Sequence, residues 1–332
     1  MTNLVIQSFG KENEYKRAIL TVLSYYACTS LAVEETRVLL FTDKPEYFKS
    51  VFENLPVDYK LLTPGKIKQM RGEIDFLHRM KIALIDEAFA LVEGNLLYAD
   101  SDTFFISDPT ALERQLSPDK CFMHLWEFKF AEVKNLPLPA GKTSRDFVNL
   151  VESKEFILTN HNKLKVTLEH VSWNAGVMFF HPTHARFIPD VYALTDQFYP
   201  DTLNHASEQF AFSVVLQENI QISSCNSVVY HYWYRIKKLI VDLFLEERIT
   251  KDWGNQPLEH KLADVRKWTE ILPGHFENHI LTIKDHAIQS FNEKRYEEGY
   301  RFTAKVIRKE LIKDRKFLLD VLYHTKSYFL QK

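Results

Sequence analysis

Two aspartates, Asp100 and Asp102, stand one residue apart in the stretch LLYADSDTFF. Carboxylates that close in a partly desolvated place repel, so a cation or a shared proton must lie between them. A hard divalent cation takes oxygen ligands and can bridge the phosphates of a nucleotide, and that is the chemistry Asp100 and Asp102 suggest. In an isolated loop such a pair reads as a solvated turn or a helix cap. Here Leu96, Leu97 and Tyr98 lead in and Phe104, Phe105 and Ile106 lead out, which favours the cation.

Other residues add to this chemistry. His231, in VVYHYWYRIK, is a structural strand-end histidine or a neutral imidazole that completes a metal shell begun by carboxylates; Lys237 or Lys238 beyond it offers charge to a leaving diphosphate. Arg79 and Lys81 sit on a helix just before the aspartate strand. They are two apart and do not share a helix face, so at most one points into a site there. Asn174 can bond sugar hydroxyls, and Gly176 permits close backbone approach; a plain turn before a strand is the alternative. Glu208 can orient or attack a reacting carbon, beside the amide of Gln209. The same residues read as a helix N-terminus with Ser207 as cap.

These residues need a scaffold that brings them to one edge. The first hundred residues alternate strand and helix: strands at 3–9, 37–43, 57–62 and 95–99, helices at 14–32 and 74–92. That alternation, with continuous apolar strands, predicts an α/β fold with a mainly parallel, Rossmann-like central sheet flanked by helices. Ligands of such sheets bind beyond the carboxyl ends of the strands, where Ser8, Asp43, Asp100 and Asp102 fall. Residues 107–170, with several prolines and polar clusters, are expected as an irregular insertion or lid. An apolar strand at 172–182, a helix at 207–217 and a strand at 227–233 follow.

A chain of 332 residues exceeds one compact domain, so a catalytic domain over 1–240 and a helical, basic region over 241–332 are expected. In that tail Ile307, Leu311, Leu318 and Leu322 share one face, and Arg308, Lys309, Lys313 and Lys316 lie largely elsewhere. The tail either caps the catalytic domain or brings it to anionic lipid at the inner membrane face. The net charge of −2 gives no general pull toward nucleic acid. Cys28, Cys121 and Cys225 lack metal-ligand spacing and read as reduced thiols of a cytoplasmic protein. The N-terminus reads as a strand rather than a signal segment.

Five blocks in this order, VIQSFGKENEYKRAILTVLSYY, HRMKIALI, LLYADSDTFF, WNAGVMFFHP and VVYHYWYRIK, resemble the nucleotide-sugar glycosyltransferases of the GT-A fold. The likeness is to the family 8 type, which includes glycogenin and bacterial lipopolysaccharide hexosyltransferases, and covers residues 3 to about 240. It implies that Gln7, Ser8 and Tyr15 surround the nucleotide base and ribose, and that Asp100, Asp102 and His231 hold Mn²⁺ (or Mg²⁺). It places Lys81 and Lys237 among the donor contacts, and Asn174, Glu208 and Gln209 at the reacting sugar, with Glu208 where the family has Asp; Arg79, Ser101 and Gly176 are expected as further donor-binding residues from their own positions. After His231, Lys237 keeps the family spacing, whereas Tyr234 replaces a glycine and Lys238-Leu239 replaces Pro-Trp. The implied activity is metal-dependent transfer of a hexose from a UDP-sugar to a saccharide or lipid-linked saccharide hydroxyl, with retention, in polysaccharide biosynthesis. A nucleotidyltransferase shares the sheet and the metal, but QSFGKENEY is not a Gly-rich loop. A non-catalytic nucleotide-sugar-binding protein on the same scaffold is opposed by the intact Asp100, Asp102 and His231.

Overall fold

A computed structural model describes residues 2–135, 141–310 and 314–330. The elements run β1 (Thr2–Ser8), α1 (Glu12–Cys28), β2 (Thr36–Thr42), β3 (Val57–Leu61), α2 (Pro64–Arg71), α3 (Arg79–Leu91), β4 (Asn95–Ala99) and β5 (Thr103–Phe105). Then come α4 (Thr110–Glu113), β6 (Lys120–Met123), β7 (Trp126–Lys129), α5 (Lys142–Ser153), β8 (Phe156–Ile157), β9 (Lys163–Leu164), β10 (Val171–Trp173) and β11 (Val177–Phe180). They are followed by α6 (Ile188–Thr202), α7 (Ser207–Asn219), β12 (Gln221–Ser224), β13 (Val229–His231), α8 (Arg235–Glu246) and α9 (Lys251–Gly254). The last are α10 (Leu258–Asn278), α11 (Ile280–Asn292), α12 (Tyr296–Glu310) and α13 (Arg315–Leu330).

The main sheet has seven strands in the order β12-β6-β11-β4-β1-β2-β3. Its strands are parallel except β11, which runs antiparallel to both neighbours. Leu4, Val5 and Ile6 of β1, Leu39 and Leu40 of β2 and Leu96 and Leu97 of β4 have no exposed surface. Strands covered on both faces read as unbroken apolar runs, which is why a mainly parallel α/β sheet was visible in the sequence.

Residues 107–170 depart from the irregular insertion expected of them. They supply β6 to the main sheet, β7 to a ribbon with β10, the helix α5 and the β8–β9 hairpin. Cys121, Phe122 and Met123 are buried, but three apolar residues are too short a run to reveal a period.

The chain forms two compact units, Met1–His231 with Lys251–Arg266, and Tyr232–Thr250 with Lys267–Lys332. The division therefore falls after His231 rather than at 240. The physical reason is that α8 buries Ile240, Val241, Phe244 and Leu245 and packs on α11, in its own unit. In the second unit Ile283, Ala287 and Phe291 of α11, Val306 of α12, and Phe317 and Val321 of α13 form a small core. The stripe expected for the tail is not that core. Ile307 and Leu322 are exposed, and since they lie on two separate helices no single helix face joins them; Leu311 and Lys313 lie outside the described residues. No helix among the described residues is long and apolar enough to cross a membrane.

One buried histidine gives the fold an acid-sensitive contact. After β11, His184 Nε2 donates to Ser117 O at 3.0 Å, while its Nδ1 accepts from His181 N at 3.2 Å. Both nitrogens are thus committed to the neutral ring, and burial lowers the pKa from 6.5 to about 4. A depressed pKa contributes stability that is present above the unfolded value and lost as the pH falls through the folded one. Resistance to denaturant is therefore expected to fall as the pH drops from 6.5 to about 4. His184→Gln should show a shallower decline across that window; parallel curves for the two proteins would contradict the assignment.

Candidate functional site

The Asp100–Asp102 turn is clamped from three sides. Asp100 N donates to Gly176 O at 2.8 Å, tying the end of β4 to the start of β11. Thr21 of α1 donates its hydroxyl to Ser101 O at 3.1 Å and Thr103 O at 2.8 Å, and Thr103 Oγ1 donates to Asp100 O at 2.8 Å. Ser101 Oγ donates to Glu14 Oε2 at 2.7 Å. The short antiparallel ribbon of β5 and β13 then sets His231 opposite Thr103, so residues far apart in sequence meet. His231 Nε2 lies 3.3 Å from Asp102 Oδ1, and one ligand atom from each of Asp100, Asp102 and His231 lies within 4.8 Å of the other two.

The negative charge here is compensated from α3. Lys81 Nζ lies 3.2 Å from Asp100 Oδ2 and 3.4 Å from Glu208 Oε1, and donates to Ala175 O at 3.1 Å. Burial alone would lower the lysine pKa, but Asp100, Glu208 and Asp102 outweigh it and carry the value above the ordinary one. Lys81 is therefore a fixed positive charge. The Tyr98 hydroxyl donates to Asp100 Oδ1 at 2.5 Å and receives Gln7 Nε2 at 3.3 Å. Burial and then the neighbouring Asp100 push that phenol well above its usual pKa, so it stays a donor.

A second cluster surrounds the turn between β10 and β11. Asn174 Nδ2 donates to Glu127 Oε1 at 2.9 Å, and its Oδ1 accepts from Gly176 N at 3.0 Å and His231 Nδ1 at 2.9 Å. Gln209 Nε2 donates to Glu127 Oε2 at 2.8 Å and Ser172 Oγ at 2.9 Å, and Gln209 Oε1 accepts from Ala175 N at 3.2 Å. Glu208, in the first turn of α7, is 3% exposed, and its Oε2 has no hydrogen-bond partner among the described residues. Ser207 does not act as the expected cap; its hydroxyl donates to Asn204 O at 2.7 Å.

At the other end of the sheet edge, the Tyr15 hydroxyl donates to Asp43 Oδ1 at 2.8 Å and Gly10 N to Asp43 Oδ2 at 3.1 Å. Gly10 has φ +88°, a backbone that glycine adopts without strain. Burial and Asp43 raise the Tyr15 pKa to about 12. Ser8 Oγ and Gln7 Oε1 are buried without a hydrogen-bond partner among the described residues.

Arg79 goes elsewhere. It pairs with Asp196 at 2.7 Å and its guanidinium lies over the Tyr192 ring at 4.5 Å, holding α3 to α6. Two residues along a helix turn the side chain through about 200°, so with Lys81 at the aspartates Arg79 must face away. Lys237 lies on α8 in the second unit, its Nζ over the rings of Tyr234 and Phe276 at 5.9 and 5.6 Å. Sequence reasoning missed Glu127 and His124. Glu127 was hidden in the stretch taken as irregular, although WEFK carries the alternation of a short strand. His124 packs edge-on to His231 with ring centroids 5.3 Å apart and Nε2 3.2 Å from Val229 O; burial, then His231, lowers its pKa to about 3.

The residues fit a divalent cation. Two carboxylates and an imidazole form a suitable donor set, with outer groups bonded to both carboxylate and ring. Gly176 leaves the room this needs, because a Cβ built there would come within 2.0 Å of His231 Cε1.

No protein-family model and no curated protein sequence matches this chain. Solved structures do. The galactosyltransferase LgtC, in complex with donor and acceptor sugar analogues, is similar at 10% identity with a TM-score of 0.50, over 80% of this chain and 95% of that one. Mouse xyloside xylosyltransferase 1 gives a TM-score of 0.43 at 10% identity, over 68% of this chain and 86% of that one. The bifunctional glycosyltransferase WbbM gives 0.46 at 9% identity, over 80% of this chain and 52% of that one. At such identities the likeness to LgtC is one of fold: this chain has the GT-A type α/β fold.

The Gly176–His231 contact can be tested without any ligand. Gly176→Ala is expected to destabilise the chain by about 1–3 kcal/mol, the usual cost of overpacking. Combined with His231→Ala the same change should cost much less, since the clashing ring is gone. Additive costs in a denaturant double-mutant cycle would show that Gly176 is needed for another reason.

Proposed function

We propose that this chain is a metal-dependent glycosyltransferase that moves a hexose from a UDP-sugar to the hydroxyl of a saccharide or lipid-linked saccharide, with retention at the anomeric carbon. The observation that carries this reading is the convergence of Asp100, Asp102 and His231 at the carboxyl edge of a GT-A sheet. The cation these three residues would hold is Mn²⁺ or Mg²⁺, which when bound offsets negative charge on a departing diphosphate.

The chain's own residues supply the rest. Lys81 holds Asp100 in place and adds a fixed positive charge at the same spot. Glu208 brings a buried carboxylate oxygen that no described residue engages, suited to stabilising positive charge that develops on a sugar ring. Gln7 Oε1 and Ser8 Oγ are acceptors with no described partner at the end of β1, in keeping with a nucleoside there. Asn174 and Gln209 define the wall opposite, held by Glu127.

The test is release of UDP from common UDP-hexoses with and without Mn²⁺. Activity should require the metal, and Asp102→Ala should lower it by more than about a hundredfold, beyond the 10–100-fold typical of outer-shell partners. Failure to turn over any of the donors, with ligand binding unchanged in Asp102→Ala, would remove the enzyme reading.

For the acceptor side we propose peripheral contact with anionic membrane at the cytoplasmic face. Leu319, Leu322 and Tyr323 are exposed on α13, and the exposed Arg315, Lys316 and Lys326 flank them. Positions 315, 319, 322 and 326 recur at the spacing of one helix face, an apolar strip with cationic ends that suits an anionic lipid surface. Liposomes rich in phosphatidylserine should sediment the protein at low salt, and Leu319→Glu with Leu322→Glu should weaken this at least about tenfold. No sedimentation of the parent protein at low salt would dismiss the contact.

A further inference from the structure

We infer that Glu127 and Asn174 form a positioning relay that fixes His231 as its Nδ1–H tautomer and so directs the Nε2 lone pair at Asp102.

The relay begins with a group that can only accept. The Glu127 carboxylate receives Asn174 Nδ2 at 2.9 Å on Oε1, and Gln209 Nε2 at 2.8 Å and Ser172 Oγ at 3.0 Å on Oε2. Turning the Asn174 amide over would set its oxygen against Glu127 Oε1 and its NH₂ against the Gly176 N–H. Both contacts would then pair like with like, so Oδ1 must face Gly176 N and His231 Nδ1, at 3.0 and 2.9 Å. An acceptor 2.9 Å from Nδ1 requires the ring proton there. A neutral imidazole has one such proton, which leaves Nε2 with its lone pair, 3.3 Å from Asp102 Oδ1.

A cation held at Asp102 could take that lone pair, whereas the other tautomer would present a proton there. The relay therefore keeps the imidazole ready as a ligand, as outer-shell partners of metal-bound histidines do. Its register comes from the β7–β10 ribbon, where an irregularity between Ser172 and Trp173 brings both Ser172 and Asn174 onto Glu127. Asn174 and Gln209 look from sequence like sugar-binding amides. In the fold Asn174 spends its Nδ2 and Oδ1 on the relay, and Gln209 braces the same carboxylate.

The inference rests on the metal reading of the site only in its last step, so the test separates the two. Long-range ¹H–¹⁵N correlation of the histidine rings, without metal at pH 8 and with His231 assigned by His231→Asn, reads the tautomer directly. Isothermal titration with Mn²⁺ reads affinity in parallel. The parent protein should show Nδ1–H at His231; Glu127→Gln, which can donate as well as accept, should show a tautomer mixture and about 10–100-fold weaker Mn²⁺ binding. A tautomer shift in a protein that never binds Mn²⁺ supports the relay and removes the metal reading. Full retention of Nδ1–H in folded Glu127→Gln overturns the relay. If that variant does not fold, Asn174→Ala replaces it: loss of Nδ1–H supports the relay and retention overturns it.

Discussion

The interaction on which this structure turns is the burial of Lys81 between Asp100 and Glu208. Asp102 is 6% exposed and Glu208 3%, so several carboxylates share a poorly solvated place at the end of the sheet. Removing one partner of such a buried set leaves an uncompensated charge, at a cost of about 3–5 kcal/mol. The helix α3 must therefore sit where Lys81 can reach, and Arg79, two residues earlier, locks that position by pairing with Asp196 of α6. The ion pair that looks remote from the chemistry is part of what aims the lysine.

The sheet topology supplies the second constraint. A strand that ran parallel beside β4 would carry its own carboxyl end to the aspartates. The reversed β11 instead brings its amino end, with the Asn174–Ala175–Gly176 turn, against them. That turn contributes backbone where side chains would not fit: Gly176 O to Asp100 N, Ala175 O to Lys81, and an absent Cβ beside His231. The β5–β13 ribbon then closes the arrangement, and Thr21 of α1 holds β5 to the first helix.

How much of this could be read from sequence depended on range. Asp100 and Asp102 carry their context with them, since the apolar residues on both sides reveal a strand that ends in charge. His231 and Glu208 stood out as candidates by residue type, and the resemblance joined them to the aspartates, because no local pattern does. Arg79 and Lys81 show the limit of helix geometry: their spacing says that they diverge, but not which one faces the sheet. Glu127 was out of reach. Its meaning depends on the register of β7 against β10, a pairing across some forty residues that a four-residue strand cannot announce. The tail misled in the opposite way, since a stripe drawn across α12 and α13 treated two helices as one.

The polar groups of the edge also divide in an informative way. Glu127, Asn174 and Gln209 satisfy one another and the backbone around them, with donors and acceptors matched throughout. A network closed in this manner is rigid and gains little from a ligand. Gln7 Oε1, Ser8 Oγ and Glu208 Oε2 are buried at the same edge with no hydrogen-bond partner among the described residues. Buried acceptors are costly to leave unpaired, and a fold keeps them where something else completes them. The closed amides are thus the frame, and the unpartnered oxygens, on either side of Asp100, mark where a polar ligand would be received.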